Sequence, residues 1–150
     1  MGVVEKDLIF LNVAVKNQGE LFNFMERELL EKDYVCDSYA ERLKEREESY
    51  PTGLKLETMG VAIPHANAEY ARANKFIVID LEKEVEFKNM EDESKVKVGL
   101  VIGLVFNDKD CHMDNLVKLS KLLQNEKQLQ KIKGSSDNNE IYGILNEIFI

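Results

Sequence analysis

The chain has 150 residues, 44% of them hydrophobic, and a formal net charge of −8 at pH 7. This length and apolar content suit one domain over residues 1–150, because a core of that size offsets the conformational entropy lost on folding. An acidic chain without a concentrated basic patch repels polyanions, so we expect no nucleic-acid partner. No apolar stretch is long enough to span a bilayer, so we expect no direct membrane insertion.

The cysteine content indicates the cellular compartment. Cys36 and Cys111 are the only cysteines, and two are too few for the disulfide framework of a small secreted domain. The first residues, Met1 to Lys6, lack the long apolar stretch of a signal peptide. These features together predict a protein of the reducing cytoplasm.

The chain opens with a predicted strand and helix. Residues 8–15 form an apolar run that suits a strand. Asn17 follows as a helix cap, since an asparagine side chain accepts a hydrogen bond from the free backbone N–H groups of a first turn. The apolar side of this helix consists of Leu21, Phe24, Met25 and Leu29.

A second helix is predicted from a cap at Asp37 or Ser38 as far as Tyr50. It ends there because Pro51 disfavours helical geometry in the residue before it. Residues 52–53, Thr-Gly, then predict a turn. The side chains that this helix carries include Tyr39, Leu43 and Arg46.

The rest of the chain predicts a sheet followed by helices. Strands are expected at 60–63, at 76–81 with an irregular continuation at 85–87, and at 96–106. Helices are expected at 113–124, at 127–133 closed by Gly134, and at 140–149, where Asp137 and Glu140 have the spacing of a capping box. The last strand is apolar on both faces, which indicates a central position. The pattern predicts an α/β fold with a mixed β-sheet covered by helices on both faces, and leaves the strand order open.

The two histidines, His65 and His112, each follow an apolar strand. Ligands and reactive groups gather at the carboxyl ends of strands in open α/β sheets. If the strands at 60–63 and 96–106 are parallel neighbours, the two imidazoles face each other across a short gap. A helix that begins near Met113 then adds free N–H groups and the positive end of its dipole, and such a site suits a phosphate.

Other interpretations of these residues remain open from spacing alone. His65 also fits a loop histidine held by a backbone carbonyl, and His112 fits a surface residue at a helix start. A zinc site built from Cys36, Cys111 and both histidines is disfavoured, because adjacent ligands lack the loop spacing that lets a pair close on one ion. A Cys111–His112 nucleophile pair is also disfavoured, since adjacent side chains rarely point at each other. We therefore expect no metal and no cofactor.

Two short motifs resemble a known family. Residues 50–54, Tyr-Pro-Thr-Gly-Leu, and residues 60–65, Gly-Val-Ala-Ile-Pro-His, resemble the signature of IIA components in the mannitol and fructose superfamily of the bacterial phosphoenolpyruvate-dependent sugar phosphotransferase system. The pair Arg46–Glu47 before the turn, and His112 before a leucine-rich helix, extend this resemblance over most of the chain. The spelling of the first motif looks most like the galactitol branch.

The resemblance implies a role for three residues. In the family the histidine after Ile-Pro, here His65, accepts a phosphoryl group, and an arginine and a second histidine stabilise it, which correspond to Arg46 and His112. The implied donor is the small histidine-containing phosphocarrier protein, and the implied acceptor is a cysteine of a IIB component. Arginine suits its role physically, because a planar guanidinium pairs with phosphate oxygens.

Departures from the family pattern and rival functions are also visible. Many members follow Pro-His with Thr or Gly, whereas this chain has Ala66 and Asn67, and His112 is followed by Met113 where leucine is usual. Arg46 alone also fits a surface arginine paired with a glutamate of its own helix, a contact that contributes under about 1 kcal/mol. The rivals are a regulatory module that senses phosphorylation and an interaction domain in which His65 is inert.

Overall fold

Caps and alternating apolar residues divide the chain into strands and helices over residues 2–149, which are those that the computed structural model describes. The strands are β1 Ile9–Val13, β2 Gly53–Lys55, β3 Gly60–Ala62, β4 Lys75–Lys88 and β5 Lys95–Val105. The helices are α1 Gln18–Glu31, α2 Tyr39–Ser49, α3 Lys109–Leu123, α4 Glu126–Gly134 and α5 Asn138–Ile148. Within the described range no helix is both long and apolar enough to cross a membrane.

The described strands form one mixed sheet in the order β1-β4-β5-β3-β2. β1 is parallel to β4 and β3 is parallel to β5, whereas the pairs β4–β5 and β2–β3 are antiparallel. β5 therefore lies in the centre, as its apolar residues on both faces predict. The predicted α/β class with a mixed sheet is confirmed.

Different helices cover the two faces of the sheet. Side chains alternate along a strand, so Ile77 and Ile79 of β4 join one core while Phe76 and Val78 join the other. The first core receives Leu21 and Met25 of α1 and Leu43 of α2. The second receives Leu119 of α3, Leu129 of α4 and Leu145 of α5. The prediction of helices on both faces is confirmed.

The helix caps follow the sequence in one case and depart from it in another. The Asn17 side chain accepts a hydrogen bond from the backbone N–H of Glu20 at 2.9 Å, as predicted. The expected cap position of α2 is correct at Ser38, but the Ser38 side chain makes no cap bond. Glu26 of α1 accepts from the Ala40 N–H at 2.9 Å instead, so a neighbouring helix supplies the acceptor.

Several element boundaries also differ from the predictions. The turn expected at residues 52–53 leads directly into the short edge strand β2, which pairs with β3 and was not predicted. The segments at 76–81 and 85–87 form one strand with a register shift between Asp80 and Val85. Helix α3 begins at Lys109, not near Met113, because Asp108 caps it. Helix α5 begins at Asn138, since the Asp137 side chain accepts from the N–H of Asn139.

Candidate functional site

Parallel pairing of β3 with β5 places His65 at the carboxyl edge of the sheet. Val61 and Ala62 pair with Leu100 and Val101, and a Cβ at Gly60 would lie 2.0 Å from the carbonyl oxygen of the neighbouring strand, so only glycine allows this approach. Beyond β3 the chain stays beside β5, because the Leu104 N–H donates to the Pro64 carbonyl at 3.1 Å. The side chain of His65 thus rises from a well-fixed backbone.

One ring nitrogen of His65 is held by the backbone. Its Nδ1 lies 3.0 Å from the carbonyl oxygen of Ile63. A carbonyl oxygen only accepts hydrogen bonds, so Nδ1 carries the proton and the neutral ring keeps its lone pair on Nε2. The ring is partly buried. This contact fits the alternative of a backbone-held histidine and at the same time leaves the lone pair of Nε2 available.

The second histidine lies directly beside the first. The ring centroids of His65 and His112 are 5.8 Å apart, with the ring planes 74° from parallel. His112 is in the first turn of α3, and its ring stacks on that of Phe106 at 5.4 Å and 10°. The prediction that the two strands are parallel neighbours and bring the imidazoles together is confirmed.

The free N–H groups expected at the start of the following helix are already taken by a cap. Asp108 caps α3, and its carboxylate already accepts from the N–H groups of Asp110 at 2.9 Å and Cys111 at 3.1 Å. The N–H of His112 donates to the Asp108 carbonyl at 2.9 Å. A carboxylate at this position also repels an anion, so the dipole of α3 is used for the cap.

Arg46 approaches the histidines from the last turn of α2. Its Nη1 donates to the Asn67 Oδ1 at 3.0 Å, and its guanidinium carbon lies 4.9 Å from the centre of the Tyr50 ring. Among the described residues Arg46 makes no ion pair, and its buried Nε has no hydrogen-bond partner there. The alternative of a pairing with a glutamate of its own helix is therefore not observed for Arg46; such a pair joins Arg42 and Glu45 one turn earlier.

Burial and positive charge lower the pKa of both imidazoles. For His65 burial is the largest cause, the hydrogen bond to the Ile63 carbonyl opposes it, and the charges of Arg46 and His112 lower the pKa further. For His112 burial again comes first and Arg46 second. Each pKa lies below the ordinary value of 6.5. Both rings are therefore neutral at neutral pH.

This electrostatic arrangement predicts the titration of the two rings. In an NMR titration we expect both midpoints below about 6.5, the ordinary value for histidine. Arg46→Ala removes a positive charge, so both midpoints should rise. Arg42→Ala, one helical turn away, should leave them unchanged. Equal shifts in the two variants would contradict a specific contact of Arg46 with the histidines.

The four residues weighed as zinc ligands are not brought together. Cys36 lies beside Ser38, with its sulfur 3.4 Å from the hydroxyl oxygen. The Cys111 sulfur lies 3.5 Å from the Asn115 Nδ2. Within residues 2–149 no group of three histidine, cysteine or acidic side chains is arranged to hold a metal ion. Burial, followed by the charge of Asp108, raises the pKa of the Cys111 thiol, which disfavours a thiolate nucleophile.

The sequence of the chain that carries this site matches a known protein family. Residues 2–148 match the family described as phosphoenolpyruvate-dependent sugar phosphotransferase system, EIIA 2. The chain belongs to this EIIA 2 family. The resemblance in the two motifs is thereby confirmed over nearly the whole sequence.

Relatives of this EIIA 2 chain are named as specific for sugar alcohols. A galactitol-specific EIIA component from Escherichia coli K12 is 31% identical over 93 residues, or 62% of each chain. The match thus spans less than two thirds of the length of that relative. A mannitol-specific IIA component from Staphylococcus aureus is 29% identical over 145 residues, covering 94% of this chain and 93% of the relative.

Solved structures show the same fold. The mannitol-specific cryptic enzyme IIA CmtB of Escherichia coli has a TM-score of 0.77 at 27% identity and covers 97% of this chain and 96% of its own. Enzyme IIA mannitol of Escherichia coli, solved in complex with phosphorylated enzyme IIB mannitol, has a TM-score of 0.75 at 22% identity and covers 93% and 94%. At that identity the second similarity shows the fold alone.

Two further residues, neither predicted from sequence, hold the surroundings of His65 in this EIIA 2 chain. Asn67 joins Arg46 to the loop after His65. Glu47 is buried, and its carboxylate accepts from the N–H of Thr52 at 2.6 Å and from the Thr52 hydroxyl at 2.8 Å. The Thr52 carbonyl in turn accepts from the Ile63 N–H at 3.3 Å. These bonds tie the end of α2 to the strand that leads to His65.

Proposed function

We propose that this protein is a phosphocarrier whose His65 accepts a phosphoryl group and passes it on. The donor is the histidine-containing phosphocarrier protein, and the acceptor is a cysteine of a IIB component. The observation that carries the proposal is the geometry of His65, whose Nδ1 is engaged by the Ile63 carbonyl at 3.0 Å while Nε2 keeps its lone pair beside Arg46 and His112. No cofactor is required, because phosphoryl transfer needs alignment and charge neutralisation more than covalent help.

Both half-reactions use the Nε2 atom of His65. In the first, its lone pair forms a bond to phosphorus as the phosphorus–nitrogen bond of the donor breaks and returns its electron pair to the donor ring. In the second, the IIB thiolate bonds to phosphorus, and the electron pair of the Nε2–phosphorus bond returns to His65. Nδ1 keeps its proton and donates it in a hydrogen bond to the Ile63 carbonyl throughout, so Nε2 is the nitrogen that bonds to phosphorus in both half-reactions.

Arg46 and His112 are proposed to stabilise the phosphoryl oxygens. The Nε of Arg46 is buried without a hydrogen-bond partner in the described residues, and the charge of Arg46 acts on both histidines. A guanidinium presents a permanent charge and a planar set of donors. The neutral ring of His112 donates one hydrogen bond and is held in place by Phe106. Together these groups supply the charge neutralisation that the transfer needs.

The biological setting follows from the relatives. Galactitol- and mannitol-specific IIA components are among the similar proteins, and a protein of this fold was solved in complex with a phosphorylated IIB. These similarities support a role as a cytoplasmic carrier in the uptake of a sugar or sugar alcohol. We propose that the substrate taken up by this phosphotransferase system is galactitol-like. The spelling of residues 50–54 favours the same branch.

A two-step transfer assay tests the proposal. The protein is mixed with radiolabelled phosphorylated carrier protein, separated from it, and then mixed with a IIB component. We expect an acid-labile phosphate first on this chain and then on the IIB cysteine. A phosphate that is accepted but never passed on would indicate the regulatory module, and no uptake would indicate the inert interaction domain.

Replacing His112 with alanine should slow the second step more than the first. Its proposed part is to support the phosphate and not to bond it, so phosphorylation by the carrier protein should persist. The loss of one hydrogen bond to a charged group corresponds to roughly tenfold in rate. Single-turnover measurements of both steps check this. Wild-type rates at both steps would make His112 a bystander.

A further inference from the structure

An asparagine outside the site fixes the junction that leads to His112. Asn74 precedes β4, and its Oδ1 accepts from the backbone N–H groups of Asn107 at 3.1 Å and Asp108 at 3.2 Å. Its Nδ2 donates to the Asn107 Oδ1 at 2.9 Å. Of the two polar atoms in the Asn74 amide, only the oxygen can accept hydrogen bonds. The two N–H donors therefore determine which way the amide is oriented. These three bonds clamp the end of β5 to the start of β4.

The clamped junction is the one that orients His112. Asp108 caps α3 through its side chain, and its carbonyl accepts from the His112 N–H at 2.9 Å. Phe106, on the other side of the junction, stacks on the His112 ring and packs edge-on against Phe76 at 5.3 Å. The residues before and after the clamp thus both touch His112, so a shift of the junction moves the ring relative to His65.

We infer that Asn74 is a positioning residue for His112, acting through the β5–α3 junction. The inference rests on the proposed function, in which His112 supports the phosphoryl group. Within residues 2–149 the Asn74 side chain bonds to Asn107 and Asp108 and to neither histidine. It therefore sets where His112 stands and does not take part in the transfer.

Because the junction is exposed, its effect on the position of His112 can be measured separately from its effect on the stability of the fold. Asn107 and Asp108 are exposed, so water replaces the lost bonds in an Asn74→Ala variant and the fold is retained. What the Asn74→Ala variant loses is the fixed direction of the three hydrogen bonds between Asn74 and the junction. Asn74→Asp keeps the oxygen that accepts from both N–H groups, and a rotated Asn107 amide can donate to the new carboxylate.

A matched control exists at the other end of the same hairpin. Asn89 lies in the β4–β5 turn, where its Oδ1 accepts from the Glu91 N–H at 2.9 Å. Asn89→Ala removes a bond of the same kind far from the site. We expect Asn74→Ala to slow transfer to IIB by roughly three- to tenfold, Asn74→Asp to remain within about twofold of wild type, and Asn89→Ala to match wild type.

A double-variant cycle decides whether the effect passes through His112. In the His112→Ala background, Asn74→Ala should cause no further slowing, because the group that it positions is gone. The NMR signals of the His112 ring in the unphosphorylated protein should shift in Asn74→Ala and stay unchanged in Asn89→Ala. If Asn74→Ala does not fold, Asn74→Gln carries the same test, since its longer side chain displaces the clamp without removing its groups.

The inference and the proposed function fail in different ways. If wild-type protein takes up no phosphate, the proposed function fails, and the ring signals still report whether Asn74 positions His112. If wild type transfers normally and Asn74→Ala equals it, or slows transfer equally with and without His112, the inference alone is overturned.

Discussion

Replacing His65 with glutamine is expected to abolish phosphate uptake from the phosphorylated carrier protein. Glutamine has an amide in place of the imidazole and offers no nucleophilic nitrogen, so the rate should fall by more than about a thousandfold. Its side-chain N–H can still donate to the Ile63 carbonyl that now accepts from Nδ1. The unfolding free energy should therefore change by under about 1 kcal/mol.

The measurement pairs a radiolabel uptake assay with a denaturant unfolding curve on the same variant. Retained uptake at a folded, glutamine-substituted site would remove His65 from the mechanism. Loss of uptake together with loss of folding would not support a role for His65 in the mechanism. The uptake assay and the unfolding curve are therefore measured on the same variant.

Arg46→Ala is expected to give the second-largest effect, and Arg46→Lys a smaller one. Lysine keeps the positive charge but loses the planar fork of donors, so it should be partly active. A charged hydrogen bond contributes about 1.5–3 kcal/mol, and its loss at the transition state corresponds to roughly tenfold or more in rate. Single-turnover transfer to a IIB component gives the rate directly.

Arg42 provides the matched control for this prediction. It lies one turn earlier on α2, pairs with Glu45 at 2.7 Å and sits 5.2 Å from the Tyr70 ring. Arg42→Ala removes the same kind of side chain from the same helix and should transfer at nearly the wild-type rate. If Arg46→Ala also did so, with an equally long-lived phosphohistidine, Arg46 would be an ordinary surface residue.

Local sequence predicted the framework of the site because strong local signals agree with the tertiary structure. The apolar runs before each histidine specify buried strands, and Pro51 specifies where α2 ends. Parallel pairing of β3 with β5 was only an assumption at that stage. The close approach at Gly60 lets β3 lie tightly against β5, and that approach is visible only once the strands are in place.

The features that sequence patterning missed depend mostly on how the chain folds back on itself. Glu47 has the sequence of an exposed acid within a charged helix, and only the turn at Thr52 buries it. Asn67 and Asn74 bind partners 21 and 33 residues away. Asp108 is a local cap signal, but the apolar stripe that marks α3 in the sequence becomes visible only after His112.

The most direct test of the central claim is to locate the phosphoryl group by NMR on protein labelled with ¹⁵N in histidine. After mixing with the phosphorylated carrier protein, we expect a coupling between ³¹P and the Nε2 of His65, with Nδ1 still protonated and donating to the Ile63 carbonyl. A phosphoryl group on the Nδ1 atom, on His112 or on any other residue would contradict the account.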